Sequence, residues 1–198
     1  DPLLFAVGDG NHSLAAAKAC WEEIKRGLTP EETVVHPARF AMVELENIHD
    51  DALRMEPIHR VLFGCDGDDL LDEIAAFAAA KGATLAAGPQ AQEIAVVYEG
   101  KEVTLSIEGS PYKLAVGTLQ AFLDGWLSAH PQARLDYIHG EDTVRTLVAG
   151  EGAVGFLLPT PERDRLFDTI RAEGALPRKT FSLGSANEKR YYMECRRL

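Results

Sequence analysis

Hydrophobic and polar residues along this chain follow two periods, one typical of strands and one typical of helices. Strand-like stretches, in which apolar residues run together or alternate with polar ones, are residues 3–7, 40–48, 134–139 and 153–158. Apolar residues at spacings of three and four, the period of amphipathic helices, occur in residues 13–28, 68–82, 119–130, 142–149 and 160–174. Residues 58–63 fit either a strand or a single helical turn. The pattern therefore predicts a fold that mixes strands and helices.

The strongest local signal is a β-hairpin. Residues 93–98 and 103–108 alternate apolar and polar side chains on either side of a turn at residues 99–102. The hairpin and the extended C-terminal stretches 180–183 and 190–195 need no crossover helices. We therefore predict an α+β fold with a mixed β-sheet, flanking helices and one β-hairpin, and the alternative is an α/β fold.

The organisation of the chain fits a single globular domain over residues 1–198. No internal repeat, low-complexity segment or long linker divides the sequence. The chain begins with Asp1 rather than with Met. We therefore expect it to be the C-terminal part of a longer chain.

The composition argues against several classes of protein. No run approaches the roughly 18 apolar residues of a membrane span, and an apolar content of 46% argues against general disorder. The net charge of −11 disfavours nucleic-acid binding, because phosphate neutralisation needs a basic surface. Three cysteines lie far apart without a Cys-x-x-Cys pair, which favours a reducing compartment over a disulfide framework. We therefore expect a cytoplasmic protein that binds neither nucleic acid nor a membrane.

The negative charge is unevenly distributed. Residues 178–198 contain six basic and two acidic side chains, a net charge of +4, whereas residues 1–177 carry a net charge of −15. A globally acidic protein can therefore still form a local pocket for an anion.

The first candidate site lies between a predicted strand and a predicted helix. Gly10 allows a tight turn, and the amide groups at the start of a helix attract anions. Asn11, His12 and Ser13 could add side-chain donors to a phosphate, and Asp9 could orient a histidine or hold a metal. The alternative is an ordinary strand-to-helix turn with an Asx cap, and a single Gly-x-Gly does not distinguish the two.

A second candidate site is the pair His59 and Arg60, which follows Pro57. Arginine can bind a phosphate or carboxylate through two parallel hydrogen bonds, and histidine exchanges protons near neutral pH. The alternative is a surface salt bridge to Glu56.

Two further groups of residues suggest anion or metal chemistry. Glu141 belongs to an acidic segment, residues 136–142, that could bind Mg²⁺ through oxygen ligands or could simply favour the start of a helix. Arg178 and Lys179 could hold an anion or could form a solvated basic edge. No two histidines have the spacing of zinc ligands, so we expect no zinc site.

Several of these segments, in this order, resemble the C-terminal part of the domain of unknown function 1015 (DUF1015) family. The resemblance extends over nearly the whole chain, and the family's members are longer than this sequence. The segments that carry it are residues 8–13, 43–50 with 56–60, 155–159 and 176–181.

A more distant resemblance concerns residues 9–13, which are similar to the phosphate-loop motif of the ParB and sulfiredoxin superfamily. That superfamily includes nucleotide-binding proteins, a sulfinic-acid reductase that uses ATP, and free-serine kinases. The resemblance implies a bacterial-type protein in which Gly10, Asn11, His12 and Ser13 line a phosphate. Ser13 stands where arginine is usual, so the missing charge would have to come from elsewhere in the fold.

These observations lead to three functional hypotheses. The first is a small-metabolite phosphotransferase that uses a nucleoside triphosphate and Mg²⁺. In it, Asp9, His12 or Glu141 acts as base or metal ligand, while Arg60 and Lys179 stabilise developing charge. The second is a non-catalytic module that binds a nucleotide or another small anion. The third is a protein-interaction domain that uses the edge of the hairpin. The sequence specifies neither the substrate nor the oligomeric state.

Overall fold

The computed structural model describes residues 3–184, so the extended segment expected at residues 190–195 lies outside the described residues. The described residues form two compact units, one from residues 55–182 and one from residues 3–54 with 183–184. The single-domain organisation stays a prediction. Within residues 3–184, no helix has the length and apolar character needed to cross a membrane.

The unit with residues 3–54 contains two helices and a 3₁₀ turn among its described residues. They are α1 (Asn11–Lys25), α2 (Pro30–Val35) and the turn Pro37–Arg39. A capping box starts α2, because the Thr29 hydroxyl accepts the amide of Glu32 and the Glu32 carboxylate accepts the amide of Thr29. This reciprocal pair satisfies two amide groups that the helix itself leaves without partners.

The strands expected at residues 3–7 and 40–48 do not form. Neither stretch has strand or helix structure, and most of their large apolar side chains are exposed, Met42 by 98%. A strand requires a neighbour that accepts its backbone hydrogen bonds, and no strand lies within residues 3–54. The prediction of a strand was therefore wrong at both places.

The unit with residues 55–182 is organised around a β-sheet that has seven strands within the described residues. The strands are β1 (Met55–Phe63), β2 (Thr84–Leu85), β3 (Gln92–Tyr98), β4 (Lys101–Glu108), β5 (Arg134–His139), β6 (Ala153–Leu157) and β7 (Phe181–Leu183). They are ordered β2-β4-β3-β6-β1-β5, and β7 also pairs with β1. The pairs along that order are antiparallel. The hairpin prediction is confirmed by β3 and β4.

Helices cover both faces of this sheet. The helices of the unit are α3 (Gly67–Ala80), α4 (Ala115–Ala129), α5 (Glu141–Leu147) and α6 (Arg163–Glu173). Leu62 and Phe156 pack with α3 and α4, whereas Val61 and Leu157 pack with the α5 residue Val144. Successive residues of a strand point to opposite faces, so β1 and β6 contribute to both cores. The α+β prediction is confirmed.

Gly155 explains how closely α5 approaches the sheet. A Cβ atom at this position would overlap Cγ1 of Val144 and lie 2.9 Å from Cγ2 of Val97. The absence of a side chain therefore lets α5 sit directly on β6. This glycine belongs to one of the segments that carry the family resemblance, and its role here is packing.

Candidate functional site

Arg60 is a buried arginine at the centre of a polar cluster in the unit with residues 55–182. Its side chain is completely buried, at 0% exposure, on the face of β1 that packs against α3 and α4. Its Nε donates to Gln120 Oε1 at 3.2 Å, and Nη1 donates to the carbonyl of Ile58. Nη1 and Nη2 donate to the carbonyls of Lys179 and Arg178, each at 3.0 Å. Arg60 thus joins β1 to a loop that is 118 residues away in the sequence.

Arg60 remains positively charged although its side chain is buried. Burial lowers the pKa of the guanidinium to about 10, and the positive charge of Arg178 also lowers it, while Tyr137 and Asp124 oppose the change. The guanidinium carbon lies 4.6 Å from the centre of the Tyr137 ring, which faces it across the β1–β5 register. A pKa of about 10 leaves Arg60 charged at neutral pH, so its hydrogen bonds are charge-assisted.

Arg178 is held by a second set of contacts. Its Nε donates to the Tyr137 hydroxyl at 2.5 Å, and its Nη2 forms an ion pair with Asp124 at 2.9 Å. Asp124 also accepts the side-chain amide of Gln120 at 2.8 Å. Gln120 therefore connects the buried Arg60 to the exposed Arg178.

The backbone of Lys179 has an unusual conformation. Its φ of 57° lies in the left-handed region, which is uncommon for residues other than glycine. The Thr180 hydroxyl donates to the carbonyl of Pro177 at 2.6 Å, and the Thr180 carbonyl accepts the amide of Ile58. The Lys179 side chain is exposed. We call residues 177–180 the basic loop.

His59 lies on the opposite face of the sheet from Arg60. It shares the α5 face with Val61, and its Nδ1 accepts the amide of Leu158 at 3.1 Å. Burial lowers the pKa of His59, the nearby Glu141 carboxylate opposes this change, and the charges of His139 and Arg60 add to it. The side chains of the neighbouring residues His59 and Arg60 therefore point to opposite faces of the sheet, whereas Glu141 is close enough to His59 to influence its pKa.

The salt bridge between Arg60 and Glu56, which the sequence left as an alternative, does not form. Glu56 pairs instead with His139, which lies across from Ile58 on β5. Because Arg60 turns inward to Gln120 and to backbone carbonyls, it does not belong to a surface ion pair.

His59 gives a prediction for the pH dependence of stability. Because the folded state lowers the pKa of His59, the unfolded chain binds its proton more readily. Stability should therefore fall once the pH drops below the ordinary histidine value of about 6.5, down to the lowered pKa of the folded state. His59→Asn keeps an acceptor for the Leu158 amide without a titrating group, and its stability should decline less between pH 7 and pH 5.

Urea unfolding measured at pH 8, 7, 6 and 5 checks this prediction. The difference in slope between the two proteins should be at most about 1.4 kcal/mol per pH unit, the value for one proton. Parallel curves for the parent protein and His59→Asn would show that another group controls the acid sensitivity.

The glycine-containing turn lies in the other unit. Gly10 has a φ of 79° and precedes α1, and its amide donates to the Asp9 side chain at 2.7 Å. The helix begins at Asn11 with no side-chain cap and no acidic residue in its first turn. The Asx cap of the alternative interpretation is therefore not formed. The first amides of α1, including those of His12 and Ser13, have no partner within the helix.

The structure thus sorts the predicted site residues into three groups. Arg60, Arg178 and Lys179 meet at the basic loop. His59 and Glu141 lie near each other on the α5 face. The third group is the turn of the unit with residues 3–54 and comprises Asp9, Gly10, Asn11, His12 and Ser13.

Sequence reasoning missed Gln120 and Asp124. Both lie on the predominantly apolar helix α4, four residues apart, and therefore on one face of it. A polar pair on one face of an otherwise apolar helix was the signal that could have identified them. Across residues 3–184, no group of three or more His, Cys, Asp or Glu side chains is arranged to hold a metal ion.

Comparison with known proteins adds a family and a fold. A family model described as "Protein of unknown function (DUF1015)" matches residues 1–126, which confirms the family. The segments 155–159 and 176–181 lie outside that match, so their part in the resemblance stays a prediction. The resemblance to the ParB and sulfiredoxin superfamily stays a prediction. No match is found among curated proteins.

Among solved structures, a mutant of a free serine kinase in complex with ADP is 16% identical, with a TM-score of 0.52. The match covers 92% of this chain and 83% of that chain. A mutant in complex with AMP is 16% identical, with a TM-score of 0.50 and coverages of 86% and 80%. A conserved hypothetical protein from Pyrococcus furiosus is 14% identical, with a TM-score of 0.49; the match covers 71% of this chain and 60% of that one. The two kinase structures show that this chain shares their fold.

Proposed function

The chain belongs to the DUF1015 family, whose description names no activity, and from the site itself we propose that it binds a nucleotide or another small molecule that carries phosphate. The observation that carries this proposal is the meeting of Arg60, Arg178 and Lys179 at the basic loop. Two guanidinium groups, those of Arg60 and Arg178, are grouped with one carboxylate, Asp124, and the exposed Lys179 adds a further positive charge to the same loop, in a protein whose net charge is −11. Such a local excess of positive charge attracts anions.

Arg178 and Lys179 are the residues of this group that can reach a ligand from solvent. Arg178 is 62% exposed and uses Nε and one Nη2 hydrogen for Tyr137 and Asp124. A guanidinium has five N–H donors, so three remain beyond these two contacts. The contacts also fix the plane of the guanidinium, which favours binding of a phosphate through parallel hydrogen bonds.

The turn before α1 provides a further position for a phosphate. Gly10 in its left-handed conformation, followed by the uncapped amides of α1, has the geometry that helix N-termini use for anions. In this proposal Asn11, His12 and Ser13 contribute donors. The kinase-like fold supports the proposal, since the structures that share it contain ADP or AMP.

Transfer of the phosphoryl group to a small metabolite is the second proposed function, and the kinase-like fold favours it. It requires a base near the ligand, for which the sequence offers Asp9, His12 and Glu141. Glu141 acts on His59 across the sheet from Arg60, so it is not the base for a ligand at the basic loop. Binding is therefore the function that the geometry supports best.

Titration calorimetry with ADP, AMP, ATP and inorganic phosphate tests binding. Arg178→Ala and Lys179→Ala should each weaken nucleotide binding at least about tenfold, the effect of losing one hydrogen bond between charged groups. Arg134→Ala is the matched control, because Arg134 is also 62% exposed, pairs with Asp136 at 2.8 Å and lies over the Phe63 ring. It should leave the affinity unchanged.

Two results would contradict the proposed binding. One is the absence of heat or thermal stabilisation with every nucleotide and with phosphate. The other is an equal loss of affinity in Arg134→Ala and Arg178→Ala, which would indicate a general effect of charge. Chromatography of products after incubation with ATP and a panel of amino acids separates phosphoryl transfer from binding alone.

A further inference from the structure

We propose that Arg60 is a positioning residue that latches the basic loop in its left-handed conformation and does not itself contact the ligand. This assignment rests on the proposed function for the identity of the ligand, but the latch itself is a property of the fold. It reinterprets Arg60, which the sequence suggested as a phosphate ligand.

The hydrogen bonds of Arg60 to the protein leave few of its N–H groups available to a ligand. Four of its five N–H groups donate to protein atoms, namely the Gln120 side chain and the carbonyls of Ile58, Lys179 and Arg178. The side chain is 0% exposed. A phosphate arriving from solvent therefore meets Arg178 and Lys179 rather than Arg60.

The loop that Arg60 holds has a conformation that needs support. A lysine with a φ of 57° is in a region that side chains with a Cβ atom adopt at a cost, and such residues persist where their surroundings fix them. Arg60 binds the carbonyl of Lys179 and also the preceding carbonyl of Arg178. It thereby fixes the loop backbone through the carbonyls of both residues.

The latch extends to the exposed side chain of Arg178. Gln120 accepts from Arg60 and donates to Asp124, and Asp124 binds Arg178. This continuous series of hydrogen bonds sets both the backbone and the guanidinium of Arg178 before a ligand arrives. Preorganisation of this kind lowers the entropic cost of binding.

Limited proteolysis of the full chain with trypsin tests the latch without any ligand. Trypsin cleaves after Arg178 and after Lys179, and the carbonyls that it must attack are the two that Arg60 holds. Arg60→Lys keeps the positive charge but loses the planar fork that reaches both carbonyls. Cleavage at these two bonds should become at least about tenfold faster.

Cleavage after Lys81 in the same digestion serves as the internal standard, since Lys81 lies in the same unit as Arg60 and the basic loop. Global unfolding would accelerate every cleavage, whereas loss of the latch accelerates only the two bonds of the basic loop. Arg134→Lys is the matched control and should give the parent pattern. Unchanged cleavage in Arg60→Lys, or equal acceleration at all sites, would overturn the latch.

A rescue variant separates positioning from general stability. Lys179→Gly introduces a residue that adopts the left-handed conformation without strain, and the cleavable bond after Arg178 remains. Combined with Arg60→Lys, it should slow cleavage after Arg178 towards the parent rate. Failure of glycine to slow this cleavage would show that Arg60 does not act through the loop conformation.

Nucleotide titration of the same proteins distinguishes the latch from the proposed function. If Arg60→Lys accelerates cleavage while the parent chain binds no nucleotide or phosphate, the latch stands and the proposed function fails. If cleavage is unchanged while Arg178→Ala still weakens binding, the proposed function stands and the latch fails.

Discussion

Replacing Arg60 with methionine is expected to lower the free energy of unfolding by about 2–4 kcal/mol. Methionine fills much of the same volume but donates no hydrogen bond. The side chain of Gln120 and the carbonyl of Ile58 would lose their buried donor, and each unsatisfied buried group costs about 1–3 kcal/mol. Guanidinium chloride unfolding followed by circular dichroism measures the change.

The control for this prediction is Arg134→Met. Arg134 is exposed and its ion pair with Asp136 lies on the surface, where such pairs contribute about 0–1 kcal/mol. The two substitutions change the same chemistry in buried and exposed settings. Equal losses in both variants would mean that burial of Arg60 contributes nothing to stability.

Replacing Gly155 with valine is expected to destabilise the protein by about 3 kcal/mol, the upper end of the usual cost of overpacking. Even a single Cβ atom at this position overlaps the side chain of Val144, and valine adds two methyl groups. Since Val144 is completely buried, α5 can make room only by moving away from β6. Chemical denaturation again provides the measurement.

Gly150→Val is the matched control, because a Cβ atom at Gly150 meets nothing within 4 Å. Its effect should stay within about 0.5 kcal/mol, as is usual for surface substitutions. A small effect at Gly155 would show that α5 can shift without cost and would remove the packing explanation for this glycine.

The parts of the fold that could be predicted from sequence are those with local signals. The β3–β4 hairpin is specified by alternation on both sides of a turn, predicted at residues 99–102 and formed by Glu99 and Gly100 alone. Helix α3 ends at Ala80, two residues before the Gly82 that the sequence predicted as its end. The strands expected at residues 3–7 and 40–48 failed because an apolar run indicates burial only where a partner strand exists. Pairing is a property of distant residues, which a local pattern does not contain.

The sequence left residues 58–63 open as a strand or a helical turn, and the cause is again that the pattern is local. His59 and Arg60 are polar residues in the middle of the sheet, so they interrupt the apolar pattern that would have identified a central strand. Once β1 is known to be a strand, alternation alone places these two side chains on opposite faces.

The basic loop could not be derived from sequence spacing. Arg178 is 118 residues from Arg60, and the chain pattern gives no sign that the two meet. The antiparallel register places Tyr137 opposite Arg60, and a slip by one residue would have moved Tyr137 to the other face. The site thus depends on sheet register, which is set by the whole core.

The position of β1 also determines the order in which this chain can assemble. β1 takes its partners β5, β6 and β7 from residues 134–183, whereas β3 and β4 are joined by a tight turn and can pair locally. Pairings between distant residues form slowly. During synthesis the backbone of β1 therefore stays unpaired until its partner strands have left the ribosome. The rate of translation sets the length of this interval, in which β1 can misfold.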